Sequence, residues 1–358
     1  MATSEVPVVV GLDNGGNSNN ATVLDVTGRF LVDELVEIPC RVLEGPEAAV
    51  EALAASMAQV LALTGIRPER VRAVGLDTPG PASATGVISS RGSTNFSQPA
   101  WRGYDIRGAL ERRLGLPVAY HNDGNAAALY AHHSYFGTDA PQRSSVSAIV
   151  GTGLGGGVVV RGQVVTGTAG MAGELGHVHI PMFGLLAEGQ PTPVCNCGFV
   201  GDVESVASLT GIRRNLLPYW LGRYAGHPLA ELDPVSAARQ VRSYGVDGDP
   251  MALRIFEQQA MALGRLFTIV ANFTDPDGYF VGGGVVEATP EFRDWFLATV
   301  REHTTLRAEQ AERARFALVP DLDMAGARGA AIAALKLLDG PASPVVRGDE
   351  NARPDPAS

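Results

Sequence analysis

The sequence predicts an α/β protein of two domains with a central cleft. Its 358 residues exceed what one hydrophobic core usually serves. Strand-like and helix-like stretches alternate along the chain. A strand, a glycine turn and a second strand also occur twice, once at the opening of each half, as an internal duplication produces. Small ligands tend to sit in clefts between domains, so a cleft is where function is sought.

The elements follow in order. From Pro7 to Asp25 the chain reads VVVGLD, the turn NGGNSNN and ATVLD, closed by Thr27 and Gly28, which is a β-hairpin with a glycine tip. Glu47 to Leu63 carries apolar residues at helical spacing, and Val71 to Leu76 reads as a strand stopping at Thr78-Pro79-Gly80-Pro81. A helix from Ile106 to Leu114 leads to a strand from Pro117 to Tyr120, and HNDGNAAALYA then opens an Ala-rich helix behind a polar cap. The second half repeats the plan with SAIV, the tip GTGLGGG and VVVRGQVV. Helical patterns cover Gly201 to Leu216 and Pro250 to Thr274, followed by a strand from Gly278 to Val281 and the glycines 282–284. A last helix spans Ala325 to Leu338, and the Pro- and Asp-rich tail from Gly340 is expected to be disordered.

Composition excludes several classes. Hydrophobic residues make up 45% and charged residues 18%, as in a packed enzyme and unlike a disordered chain. The net charge of -10 lacks the clustered Lys and Arg that DNA phosphates require, so no nucleic-acid partner is expected. Lys336 is the single lysine and lies far from the glycine-rich loops, whereas a P-loop places a lysine on the transferred phosphates. Cys40, Cys195 and Cys197 are too few for a disulfide scaffold and follow no secretory signal, which points to a reducing, cytoplasmic compartment. No apolar run reaches the ~20 residues of a membrane-spanning helix, so a soluble protein with no membrane partner is expected.

GTGLGGG formally matches the dinucleotide fingerprint through Gly151, Gly153 and Gly156. That fingerprint must open a helix, and the β-branched VVVRGQVV that follows does not, so a dehydrogenase is set aside. Glycine tips have another use: without a Cβ, successive backbone N–H groups converge and cradle phosphate oxygens. Taken alone, they are more often plain tight turns. Asp13 beside the first tip favours the cradle, because a magnesium shell there would need a carboxylate oxygen. Asp123, between Asn122 and Gly124 at a strand-to-helix junction, is a candidate general base; the bland alternative is that it caps the helix.

GLDNGGN, NDGNAAAL, GTGLGGGVVVRG, AGELGH and CNCGFVGDVES, in this order, resemble the ROK family of sugar kinases and repressors, from about Val8 to Leu338. The resemblance implies two actin-like ATPase (ribonuclease H-like) domains closing on a sugar and ATP with magnesium. The first would span 1–121 and be completed by the helix at about 325–339; the second would span 122–324 and carry a Cys-containing insertion, with 340–358 as the tail. It implies Asp123 as catalytic base, and Asn95, Asn122, Glu174, His177 and Glu204 as ligands of sugar hydroxyls. Gly15, Gly16 and Asn17 would form the first phosphate loop, Thr152 and Gly153 the second, and Gly283 and Gly284 the adenosine site. A homo-oligomer, such as a dimer, is the implied assembly.

Three departures from the family pattern stand out. ROK proteins commonly hold a structural zinc on one His and three Cys; the matching residues here are His177, Cys195, Cys197 and Asp202, so one thiolate has become a carboxylate, which zinc also accepts. The spacer PMFGLLAEGQPTP is longer than usual, and His179 is a rival ligand. Asn17 stands where the kinases usually have Thr. The altered loops suit a branch acting on seven-carbon cyclitols of antibiotic biosynthesis as well as they suit a glucokinase. The repressor branch carries a helix-turn-helix ahead of the sugar-binding part, and a first strand within ten residues of Met1 leads us to expect an enzyme.

Overall fold

The apolar runs at the start of the chain pair as the sequence predicts. In the computed structural model, which describes residues 6–80, 82–90, 96–319 and 322–338, β1 (Val8–Asn14) runs antiparallel to β2 (Ser18–Asp25). Asn95 and the tail 340–358 lie outside the described residues. Next along the chain come β3 (Glu37–Pro39), α1 (Pro46–Thr64), β4 (Val71–Thr78), α2 (Ile106–Leu114) and β5 (Val118–Asn122). The first sheet has the order β3-β2-β1-β4-β5, with β4 parallel to both β1 and β5.

The second half opens on α3 (Asp123–Phe136), β6 (Ser145–Val150), β7 (Leu154–Val160) and β8 (Gln163–Val164). Helices α4 (Glu204–Ala207), α5 (Leu209–Gly211), α6 (Leu217–Leu221), α7 (Pro234–Val246) and α8 (Pro250–Thr274) follow. β9 (Gly278–Gly283), α9 (Pro290–Glu302), α10 (Ala308–Arg313), β10 (Arg315–Leu318) and α11 (Ala325–Leu338) end the described chain. The order β10-β9-β6-β7-β8 repeats that of the first sheet: a hairpin at the centre, a third antiparallel strand on one side and two parallel strands on the other. The duplication is thus one of topology.

β1 is buried on both faces, which explains its unbroken apolar run. Val8, Val10 and Leu12 join the core under α1 and α2, while Val9 packs with residues of α3 and α11. α1 has the length and composition of a membrane span, contrary to the expectation that no run would reach it, but Ala49, Leu53, Met57 and Val60 are buried in the first core. It is a core helix.

Three differences from the expected elements have local causes. The helix expected over 201–216 is broken into α4, α5, a π-turn at Ile212–Leu216 and α6, because Ser208 is extended and its hydroxyl accepts from the Gly211 N–H, restarting the helix. The GTGLGGG tip is shorter than expected: only Gly151–Gly153 turn, and glycines 155–157 lie inside β7. α3 crosses that strand so closely that a Cβ on Gly157 would sit 2.7 Å from Asn125 Oδ1 and 2.8 Å from Ala128 Cβ. Helices α7, α9 and α10 were not anticipated.

The two sheets meet through one helix pair. α11 lies on β1 and β4, α3 lies on β7, and α3 packs against α11. At their crossing a Cβ on Gly329 would stand 1.9 Å from the Ala126 carbonyl oxygen, so only glycine permits this separation. Lys336 on α11 reaches the Gly162 carbonyl in the β7–β8 turn, a second tie between the halves.

Candidate active site

The C-terminal ends of β1, β4 and β5 converge, the usual place for ligands in parallel α/β sheets. Register sets Asp13 beside Asp77 and Thr78 beside Asn122. Asp13 is half-buried and accepts from Asn20 Nδ2 at 3.1 Å. Burial raises its pKa, against hydrogen bonds with Asp77 and Asn20. Asp77 is wholly buried, faces Asp13 carboxyl to carboxyl, and receives no N–H or O–H donor on either oxygen. Burial pushes its pKa well above the ordinary carboxylate range, and Asp13 and Asp123 add to this.

The capping question resolves between neighbours. Asn122 is the N-cap of α3: its backbone is extended and its Oδ1 accepts from the Asn125 N–H at 3.0 Å. Asp123 is therefore the first helical residue and is free of the cap, its carboxylate accepting from the adjacent Gly124 N–H at 2.7 Å. Water reaches Asp123 from the open cleft, yet the surrounding protein excludes much of the bulk solvent that would hydrate its charge. That desolvation, opposed by the Gly124 bond and helped by Asp13 and Glu174, raises its pKa to about 6.

Both hairpin tips face solvent. Gly16 and Asn17 are exposed beyond the turn that the Gly15 N–H closes on the Ser18 carbonyl at 2.9 Å. Beneath it Asn14 and Asn19, both buried, bond side chain to side chain at 2.7 Å. In the second tip the Gly151 N–H closes on the Gly153 carbonyl at 2.9 Å and leaves Thr152 exposed. Glu204 braces this tip: its Oε2 accepts the Leu154 N–H at 2.8 Å, and its Oε1 lies 3.3 Å from the Cys195 sulfur. Both oxygens of this predicted sugar ligand are thus engaged within the protein.

A cavity of about 380 Å³ opens behind the second tip, lined by Gly151, Thr152, Leu209, Ile212, Phe256 and Gly284 among others. Gly283, the other predicted adenosine glycine, is not among the lining residues; it packs beside them, with φ 103° and a position where a Cβ would meet the Val150 carbonyl oxygen at 1.8 Å. Arg242 of α7, paired with Glu287 at 2.7 Å, also lines the cavity and donates to the Gly284 carbonyl. The apolar wall from Leu209, Ile212 and Phe256 escaped the sequence reading, since helical apolar residues look alike whether they fill a core or line a cavity.

On the other side, Glu174 accepts from Asn122 Nδ2 at 3.3 Å. Burial raises the Glu174 pKa; His177 opposes this and Glu204 adds to it. His177 Nδ1 lies 3.2 Å from Asp202 Oδ2, 3.6 Å from the Cys197 sulfur and 4.0 Å from the Cys195 sulfur. The ligand atoms of His177, Cys195, Cys197 and Asp202 all fall within 4.8 Å of one another. His179 stays outside this group, its ring against Phe199. Asp202 is buried and held by the Ser205 N–H on Oδ1, while burial raises the Cys195 thiol pKa. Two thiols, an imidazole and a carboxylate, one oxygen of which is already anchored, make a donor set that fits zinc.

Two sheets of one topology, hinged on a helix pair and carrying glycine-tipped hairpins above a carboxylate-lined cleft, define an actin-like ATPase fold. The chain belongs to the ROK family, whose model matches residues 9–336, and it is a sugar kinase. It is 30% identical to the glucokinase of Thermotoga maritima over 287 residues, 78% of this chain and 83% of that one. The ROK hexokinase of Thermus thermophilus matches it with a TM-score of 0.71 at 32% identity, over 93% of this chain and all of that one, 100%. A ROK glucokinase from Streptomyces griseus in complex with glucose and AMPPNP matches with a TM-score of 0.66 at 27% identity, over 92% and 99% of the two chains.

Proposed function

We propose that the protein transfers the γ-phosphoryl group of ATP to a primary hydroxyl of a glucose-like hexose or a seven-carbon cyclitol that mimics it, with Asp123 as general base. The observation that carries this reading is the release of Asp123 from capping by Asn122, which leaves its carboxylate open to the cleft. A pKa of about 6 keeps it ionised at neutral pH yet basic enough to take a hydroxyl proton as the oxygen attacks phosphorus. Asn122, Glu174 and the ring nitrogen of His177 turned away from the thiols would fix the acceptor, and Asn95 would join them. The hairpin tips at Gly15–Asn17 and Thr152–Gly153 would hold the phosphates through backbone N–H groups, and the cavity at Gly284 suits adenine in size and apolar lining. Asp13 would hold the magnesium that neutralises the phosphates. Glucokinase relatives and the glucose-bound neighbour support a glucose-like acceptor.

The test is a panel of hexoses, acylamino-hexoses and cyclitols incubated with magnesium-ATP, with products assigned by mass and phosphorus NMR. A single phosphorylated primary alcohol is expected from the best acceptor, and Asp123→Asn should lower its kcat by about 10²- to 10⁴-fold. Full turnover by that variant would remove Asp123 from the mechanism. We also assign a structural zinc to His177, Cys195, Cys197 and Asp202. Elemental analysis should find one zinc per chain and Cys195→Ser should abolish it; a metal-free wild type, purified without chelator, would rule it out.

A further inference from the structure

Asp77 is not among the residues that the kinase reading uses, and its position asks for an explanation. Strand β4 is buried from Ala73 to Thr78, and a buried carboxyl without a donor is unfavourable unless it holds a proton or meets a cation. We infer that Asp77 is a second protein carboxylate, beside Asp13, for the divalent cation that accompanies the nucleotide; this rests on the kinase reading for the cation's arrival.

Three observations support the inference. The pairing of β1 with β4 sets Asp13 and Asp77 side by side on adjacent parallel strands, and their carboxyls meet. Asp77 is wholly buried, and among the described residues neither of its oxygens receives an N–H or hydroxyl donor; the carboxyl it meets is that of Asp13. Among the described residues the charged groups acting on Asp77 are Asp13 and Asp123, both carboxylates, with no cationic side chain set against them. A hard divalent cation of magnesium size is bound by one or two carboxylates completed by phosphate and water oxygens, and this pair matches that requirement at the mouth of the first phosphate tip. Asp13 alone would supply only the first of the two. Little in the sequence marks the second, since a lone Asp before Thr78-Pro79-Gly80 looks like a turn residue.

Manganese is the probe. AMPPNP binding to the full chain is measured calorimetrically with Mn²⁺ and again with EDTA. In the wild type Mn²⁺ should tighten binding at least about tenfold; in Asp77→Asn this gain should shrink about tenfold, with the metal-free affinity unchanged within about twofold. An undiminished gain in that variant overturns the inference and leaves a proton shared between the two carboxyls. Should Asp77→Asn fail to fold, ¹³C electron-nuclear double resonance on the Mn²⁺–AMPPNP complex of wild-type protein, labelled at aspartate carboxyl carbons, counts the ligands directly. Two strongly coupled carbons uphold the inference, and one or none overturns it. Loss of phosphoryl transfer across the whole acceptor panel, with these manganese results intact, would defeat the kinase reading and not this one.

Discussion

Asn122 and Asp123 divide two tasks that either could have performed. Extended backbone at Asn122, with φ -75° and ψ 163°, puts the cap there, so the next carboxylate is spared for the cleft. The pH dependence follows. The base form of Asp123 is lost as pH falls through about 6, so kcat should be level above pH 7 and drop toward tenfold per unit below about 5.5, a limb that a pH-rate profile reads directly. Stability moves the opposite way. A carboxyl whose folded pKa is raised from 3.8 to about 6 binds its proton more tightly in the native state, so its contribution is fully present below 3.8 and lost as pH rises through about 6. Asp123→Asn should therefore raise Tm relative to wild type more at pH 8 than at pH 5, as scanning calorimetry can check. Sequence alone left base and cap open for Asp123, because the choice turns on one ψ angle; only the family resemblance tipped it. Asp77 could not be recognised at all, since what distinguishes it is a neighbour 64 positions away in the chain across a parallel pairing.

The hairpins and long helices were legible because their signals are local. Short apolar runs separated by glycine turns gave β1, β2, β6 and β7, and strong 3.6-residue patterns gave α1, α8 and α11 within a residue or so. The glycine run of β7 was misread for a reason that is tertiary: Gly157 serves the approach of α3 and Gly156 lies tight against the Ser147 carbonyl of β6, and no property of the strand itself reveals these neighbours. Gly157→Val should thus act at a distance. Its side chain would overlap Asn125 and Ala128, lift the first turns of α3 and shift Asp123; overpacking of this kind costs about 1–3 kcal/mol. A fall in both Tm and kcat, with ATP affinity largely kept, is the expected pattern, and an effect on Tm alone would disconnect the packing from the base. The broken helix at 201–221 depended on whether Ser208 caps or continues, which a helical apolar pattern does not decide.

Across the molecule, the two sheets meet chiefly through α3 and α11, one resting on each. The crossing is narrow because Gly329 brings the two backbones together, and it predicts a closure in which one helix pivots on the other with little side-chain bulk between them. Gly329→Leu should wedge the pair apart, lower Tm by several degrees and weaken binding of the sugar acceptor, while leaving the cavity at Gly284 largely intact; unchanged small-angle scattering on adding acceptor and AMPPNP would confirm a jammed hinge in the variant, against a contraction in wild type. Lys336 stands beside that hinge and its ammonium crosses to the opposite turn at Gly162. Because no other side chain in the chain carries a primary amine, an amine-selective dye would have one internal attachment point, at the seam itself. Its reactivity and emission would follow the opening and shutting of the enzyme without any engineered label.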